Sequence, residues 1–179
     1  MAELRLQDGS RITDAGRIAE RLAPLGVALR QWPVPESARA RALLAAQALA
    51  DPEKEELLGL VEHRFQALRA EAGYQARDLV VLHEDLPGLA EALAKFSGMH
   101  YHDDDEVRYV LAGAGYFGFV GAGGEQMLLK VEAGDYINVP ARAEHWFVMG
   151  DAPRIKAVRY FTDKAGWVPV YTHTPVVLA

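Results

Sequence analysis

Apolar residues recur at helical spacing through the first part of the chain and in short β-branched and aromatic runs through the second. Thr13 or Asp14 can cap a helix that runs to Leu22 and ends before Pro24, with Gly26 just beyond. Ser37 precedes an Ala/Leu/Arg-rich helix that ends at Asp51-Pro52, and that dipeptide opens a third, longer one. Within it Leu57, Leu58, Val61, Phe65 and Leu68 form one stripe near a 3.6-residue period, and Gly73 supplies the stop. The stripes are read as core-facing, and His63 beside the last one as partly exposed.

From Asp78 the predicted strands are Leu79 to His83, His100 to Leu111, Gly115 to Val120, Met127 to Val131, Tyr136 to Val139, His145 to Met149, Ile155 to Phe161 and Val168 to Tyr171. One further helix, Pro87 to Lys95, follows the first of them. Short strands spaced by about ten residues suggest a sandwich or barrel rather than βαβ units. Gly113, Gly115, Gly121, Gly123, Gly124 and Gly134 are assigned to turns between runs. No Pro/Gly-rich linker interrupts the chain, so one domain spanning 1–179 is expected, with a mainly helical annex over about 1–77 and a β-barrel over about 78–179. No G-x-G-x-x-G opens a helix after a strand, which leaves a nucleotide cradle unsupported.

Composition narrows the function classes. Of 179 residues 50% are hydrophobic and 25% charged, which suits a folded globular chain. A net charge of −6 repels phosphate backbones and anionic bilayers, so neither nucleic acid nor membrane is an expected partner. Cysteine is absent, so any metal must be held by nitrogen and oxygen. The first thirteen residues carry Glu3, Arg5, Asp8 and Arg11 and offer no signal-peptide core. Ala42 to Ala50, the longest nearly apolar stretch, falls far short of the roughly 20 residues that span a bilayer. A soluble cytoplasmic protein acting as a monomer is expected.

The chemistry concentrates in Met99-His100-Tyr101-His102-Asp103-Asp104-Asp105-Glu106-Val107-Arg108. Alternation along a strand puts His100, His102, Glu106 and Arg108 on one side. Imidazole and carboxylate ligands converging there are what non-haem Fe(II), Ni(II) or Mn(II) sites use, whereas two strand histidines beside a solvated acidic turn are the bland alternative. In the strand Ile155 to Phe161, Arg159 is the single charge on the face shared with Ile155, Ala157 and Phe161. A buried guanidinium needs an anion, which is either a protein carboxylate or an anionic substrate. Asp104 shares parity with Glu106 and competes as a ligand; Asp103 to Asp105 are otherwise a solvated run. His83 and His173 are read as surface or rim residues.

His100, His102, Glu106 and Gly113 resemble the first motif of the cupin superfamily, and Gly134, Pro140 and His145 the second, with Arg142 where glycine is usual and Met149 where asparagine often sits. The superfamily resemblance implies a small β-barrel holding a metal on three histidines and a glutamate. More narrowly, His100 to Arg108, Val139-Pro140-Ala141 leading to His145-Trp146-Phe147, and Arg159-x-Phe161 followed by Gly166-Trp167 resemble the acireductone dioxygenase family. Its fold would be a cupin-type β-barrel (jelly roll) with N-terminal helices packed outside.

The family resemblance implies one Fe(2+) or Ni(2+) per monomer on His100, His102, Glu106 and His145. It also implies Arg108 and Arg159 as substrate-side residues and Phe147 and Trp167 as cavity lining. Phe96 is read as a further lining residue, and Asp104 or Asp105, within the acidic run, as able to orient a ligand histidine. The implied partners are a small acireductone and O2: 1,2-dihydroxy-3-keto-5-methylthiopentene is oxidised in methionine salvage. The iron form would give 4-methylthio-2-oxobutanoate and formate, the nickel form methylthiopropionate, carbon monoxide and formate. Two alternatives stay open: a metal-dependent cupin isomerase of a sugar or polyol, and a cupin binding module without catalysis.

Overall fold

The computed structural model describes residues 2–178. In chain order its elements are β1 (Glu3–Leu6), β2 (Arg11–Ile12), α1 (Ala15–Leu22), β3 (Ala28–Gln31), α2 (Ala38–Ala45), α3 (Asp51–Leu60), α4 (Glu62–Ala72), β4 (Ala76–His83) and α5 (Leu89–Ser97). They continue as β5 (His100–Tyr101), β6 (Glu106–Val120), β7 (Gln126–Glu132), β8 (Asp135–Val139), β9 (His145–Val148), β10 (Arg154–Phe161) and β11 (Val170–Tyr171). A 3₁₀ turn, Lys164–Trp167, precedes β11.

The predicted helix starts hold for a local reason. The Asp14 carboxylate accepts from Arg17 N at the start of α1, and the Ser37 hydroxyl accepts from Ala40 N at the start of α2. The third predicted helix is two, because Val61 leaves helical geometry (φ −116°, ψ 13°). Its stripe survives the break: Leu57, Leu58, Val61, Phe65 and Leu68 are all buried. The C-terminal carbonyls of α2 are met by cations, with Arg154 donating to Ala45 O at 2.8 Å and the buried Lys156 ammonium to Leu44 O and Ala46 O. Burial, with Arg154 beside it, holds the Lys156 amine below its usual range.

All strand pairings are antiparallel, and β6 organises them. Its first half pairs with β8 and β10, continuing to β3 and β4; its second half pairs with β7 and β9, continuing to β1 and β2 on one side and β5 and β11 on the other. The two halves thus belong to two facing sheets of one barrel. Two predicted strands, His100 to Leu111 and Gly115 to Val120, needed correction. The first is broken by a bend at Asp103 and Asp104, and its remainder fuses with the second into β6. Gly113 is therefore inside a strand, at φ +74°, next to the register shift between Lys156 and Ala157 of β10.

The segment 1–77 is also more than a helical annex, because β1, β2 and β3 lie in the sheet. Ala2, Leu4, Ile12, Ile18, Leu22 and Val27 are buried in the same core as Phe117, Leu129 and Ile137. Helices α2 to α4 cover the outer face of the β4/β10/β6/β8 sheet through Leu43, Leu57, Leu58, Phe65 and Leu68 against Val107, Tyr109, Val158 and Tyr160. Val107, Tyr109 and Leu111 of β6 thereby point outward, leaving Glu106 and Arg108 to the interior. Among the described residues no helix is long and apolar enough to cross a membrane.

Candidate metal centre and cavity

His100 on β5 and His145 on β9 face each other directly across a strand pair, and Glu106 opens β6 from the facing sheet. His102 sits between β5 and β6. One ligand atom from each of the four lies within 4.8 Å of every other, and all four residues are buried. The bend at Asp103 and Asp104 interrupts the alternation expected from His100 to Arg108, which holds only from Glu106 to Arg108.

Ring orientation decides which nitrogens are available. His100 Nδ1 lies 2.7 Å from Gly98 O and His145 Nδ1 lies 2.8 Å from Ala143 O, so in both rings Nδ1–H donates to a carbonyl and Nε2 keeps its lone pair. His100 Nε2 is buried without a hydrogen-bond partner. His145 Nε2 and His102 Nε2 lie 3.1 and 2.9 Å from Glu106 Oε2, and the His102 contact is off the direction of an N–H bond. Lone pairs of neutral imidazoles and a carboxylate facing one another at these distances repel, and a divalent cation between them removes the repulsion. The donor set therefore fits a metal.

The protonation states agree with that fit. Burial, with His145 beside it, pushes the His100 imidazole down to about 4, which keeps it neutral near pH 7. Burial alone would raise the Glu106 carboxyl, but the Arg108 guanidinium beside it holds it well below the usual carboxylate range.

Arg108 donates Nε to Glu106 Oε1 at 2.7 Å, and its guanidinium lies 5.5 to 5.9 Å from the ring centres of Trp167, Phe147 and Phe117. Its cross-strand neighbour is Arg159, and both line a cavity of about 180 Å³ walled by Val80, Leu82, Ala92, Leu93, Phe96, Phe147, Ile155 and Ala157. Arg159 faces the cavity as alternation predicts, but a protein carboxylate holds it: Asp78 accepts from its Nε at 2.8 Å and its Nη2 at 2.7 Å. Asp78 was missed, although it shares parity with the cavity-lining Val80 and Leu82 on β4. Of the α5 wall the sequence named Phe96, while Ala92 and Leu93 were missed.

Phe96 lies 6.0 Å from the His100 ring, and Trp167 stacks on His102 at 5.8 Å. Asp104 and Asp105 do not orient a ligand histidine. Asp104 accepts from Thr162 N and Asp163 N, both at 3.0 Å; Asp105 accepts from Ala141 N at 2.9 Å and from Asn138 at 3.4 Å. Arg142, at the turn where glycine is usual, takes φ +66° and donates its N–H to His102 O at 2.8 Å. His63 and His173 are exposed, and His83 lies outside the centre beside Gln47.

Comparison with known proteins gives the same reading. Residues 33–169 match the ARD/ARD′ family. An acireductone dioxygenase of Microcystis aeruginosa is 50% identical over 176 residues, 98% of this chain and 96% of the relative. One of Leptospira biflexa is 44% identical over 167 residues, covering 93% of each. Among solved structures, acireductone dioxygenase from Bacillus anthracis with a cadmium ion in its active centre is 32% identical at a TM-score of 0.86, covering 96% of this chain and 98% of that one. Four buried ligands in a two-sheet barrel, together with these likenesses, establish that the chain belongs to the acireductone dioxygenase (ARD/ARD′) family.

Proposed function

We propose that the protein is an acireductone dioxygenase, oxidising 1,2-dihydroxy-3-keto-5-methylthiopentene with O2, and that Fe(2+) or Ni(2+) is held by His100, His102, Glu106 and His145. The observation that carries this reading is the pairing of a neutral-imidazole metal centre with two guanidinia that line one apolar cavity. When bound, a divalent metal supplies a Lewis acid and a template for two vicinal oxygens of the enediolate. The chain's own groups do the rest. Arg108, fixed through Nε on Glu106, presents its terminal N–H groups to the anionic substrate. Arg159, held by Asp78, adds a second positive group alongside. Phe96, Phe147, Leu93 and Ile155 give the methylthio tail an apolar, water-poor wall.

Turnover under labelled O2 with iron-loaded and nickel-loaded protein tests the reading. Label should enter two products with either metal, formate and the 2-oxo acid with iron, formate and methylthiopropionate with nickel, and unlabelled carbon monoxide should be released by the nickel form alone. Absence of label with both would overturn the dioxygenase assignment. Oxygen-independent conversion of a polyol would favour an isomerase, and affinity without turnover a binding module. Identical products from the two metals would keep the dioxygenase and remove the metal-dependent outcome.

A further inference from the structure

Asp104 belongs to the acidic run that neither ligates nor orients a histidine, yet its carboxylate is fully engaged. It accepts from Thr162 N and Asp163 N, both at 3.0 Å, and from the Thr162 hydroxyl. The connection is reciprocal, since Asp103 N and Asp104 N both donate to Gly166 O, at 3.0 and 3.3 Å. Five hydrogen bonds thus join the loop between His102 and Glu106 to the segment 162–166. The approach is close enough to require glycine on the far side, because a Cβ at Gly166 would stand 2.7 Å from Asp104 Cβ and 2.9 Å from its backbone nitrogen.

What this joint positions is Trp167. Its indole stacks on His102, lies 4.5 Å from Phe161, and has both Arg108 and Arg159 guanidinia 5.5 Å from its ring centre. Thr162, Asp163, Lys164 and Ala165 are exposed, so little apolar burial holds this turn in place. We infer that Asp104 is a positioning residue for the reaction: it clasps the 162–166 segment to the metal-binding loop and so seats Trp167 against His102 and the two arginines. The inference rests on the proposed reading of the centre for its kinetic part only.

The test uses full-length, metal-loaded protein carrying Asp104→Ala, Trp167→Ala or both, with Gly166→Ala as a break made from the other side. Asp104→Ala should retain its metal and the exchange protection of β6 while amide exchange across 162–167 rises about tenfold or more. It should lose acireductone turnover by about 10- to 100-fold, as Trp167→Ala does, and the double variant should be no worse than Trp167→Ala alone. Gly166→Ala should reproduce both effects. Unchanged exchange across 162–167, full additivity in the double variant, or loss of metal in Asp104→Ala would each overturn the inference. If Asp104→Ala does not fold, Gly166→Ala decides by the same exchange and metal readouts. If the wild type turns over no acireductone, the functional reading fails, and hydrogen exchange still decides whether the clasp exists.

Discussion

At the scale of single residues, the metal centre is a set of lone pairs made available by backbone carbonyls two residues before the rings they hold. Gly98 O and Ala143 O fix two imidazoles so that Nε2 points inward, and Glu106 is charged because Arg108 is beside it. Alanine at any of His100, His102, Glu106 or His145 is therefore expected to remove bound metal and activity, whereas His173→Ala, exposed and apart, should leave both intact; metal analysis of the purified variants checks this. The same burial has a consequence for metal-free protein. The folded His100 titrates near 4 against an ordinary 6.5, so between those values the unfolded chain holds a proton that the folded chain lacks. Stability of the chelated protein should then fall by about 3 kcal/mol as pH drops from 6.5 to 4, and His100→Asn should flatten that slope in urea titrations. A slope unchanged in the variant would show that His100 is not its source. Of these residues the sequence displayed the types and the spacing. Asp78 stayed hidden, because a carboxylate at a strand's start acquires meaning only when β10 places Arg159 opposite it.

At the scale of elements, β6 decides where the centre lies, because one strand serving two sheets brings its Glu106 end to face β5 and β9. The turn between sheets is made at Gly113, at φ +74°, where a Cβ would stand 1.9 Å from Arg154 O. Neither the left-handed backbone nor the carbonyl can give way cheaply. Gly113→Ala should cost on the order of 3 kcal/mol and lower the melting temperature by roughly 6–12 °C, measured by calorimetry on metal-free protein. A loss below about 1 °C would mean that β6 relaxes there without cost. Glycine in the sequence reads as punctuation, which is why Gly113 looked like a loop between two strands. The pairing that carries the strand through it, to Ile155, and the bulge just before it, at Leu111, are both set by β10, far along the chain. Helix starts, by contrast, were legible at Asp14 and Ser37 because the cap and the amide it satisfies lie three residues apart.

At the scale of the whole molecule, the N-terminal strands were illegible: β1, β2 and β3 are two to four residues long, too short for alternation to register. Their place in the barrel comes from partners, β1 on β7 from Glu3↔Lys130 to Leu6↔Met127, and β3 on β8 from Ala28↔Asn138 to Gln31↔Asp135. Leu4, Ile12, Ile18, Leu22 and Val27 are buried against the same interior as Phe117 and Ile137. At roughly 1.5–3 kcal/mol for each large side chain, that burial is of the size of a domain's entire net stability, roughly 5–15 kcal/mol. Removing residues 2–31 would also strip β7 and β8 of neighbours and expose two apolar edges to aggregation. A separable annex could be cut away with the barrel left standing; a segment woven into the barrel could not. The full chain is accordingly expected to melt in one cooperative transition, and the truncated chain to be insoluble or to lack a native transition and bound metal. A truncated protein that binds one metal and melts within a few degrees of the full chain would show that β1 to β3 only decorate a barrel complete without them.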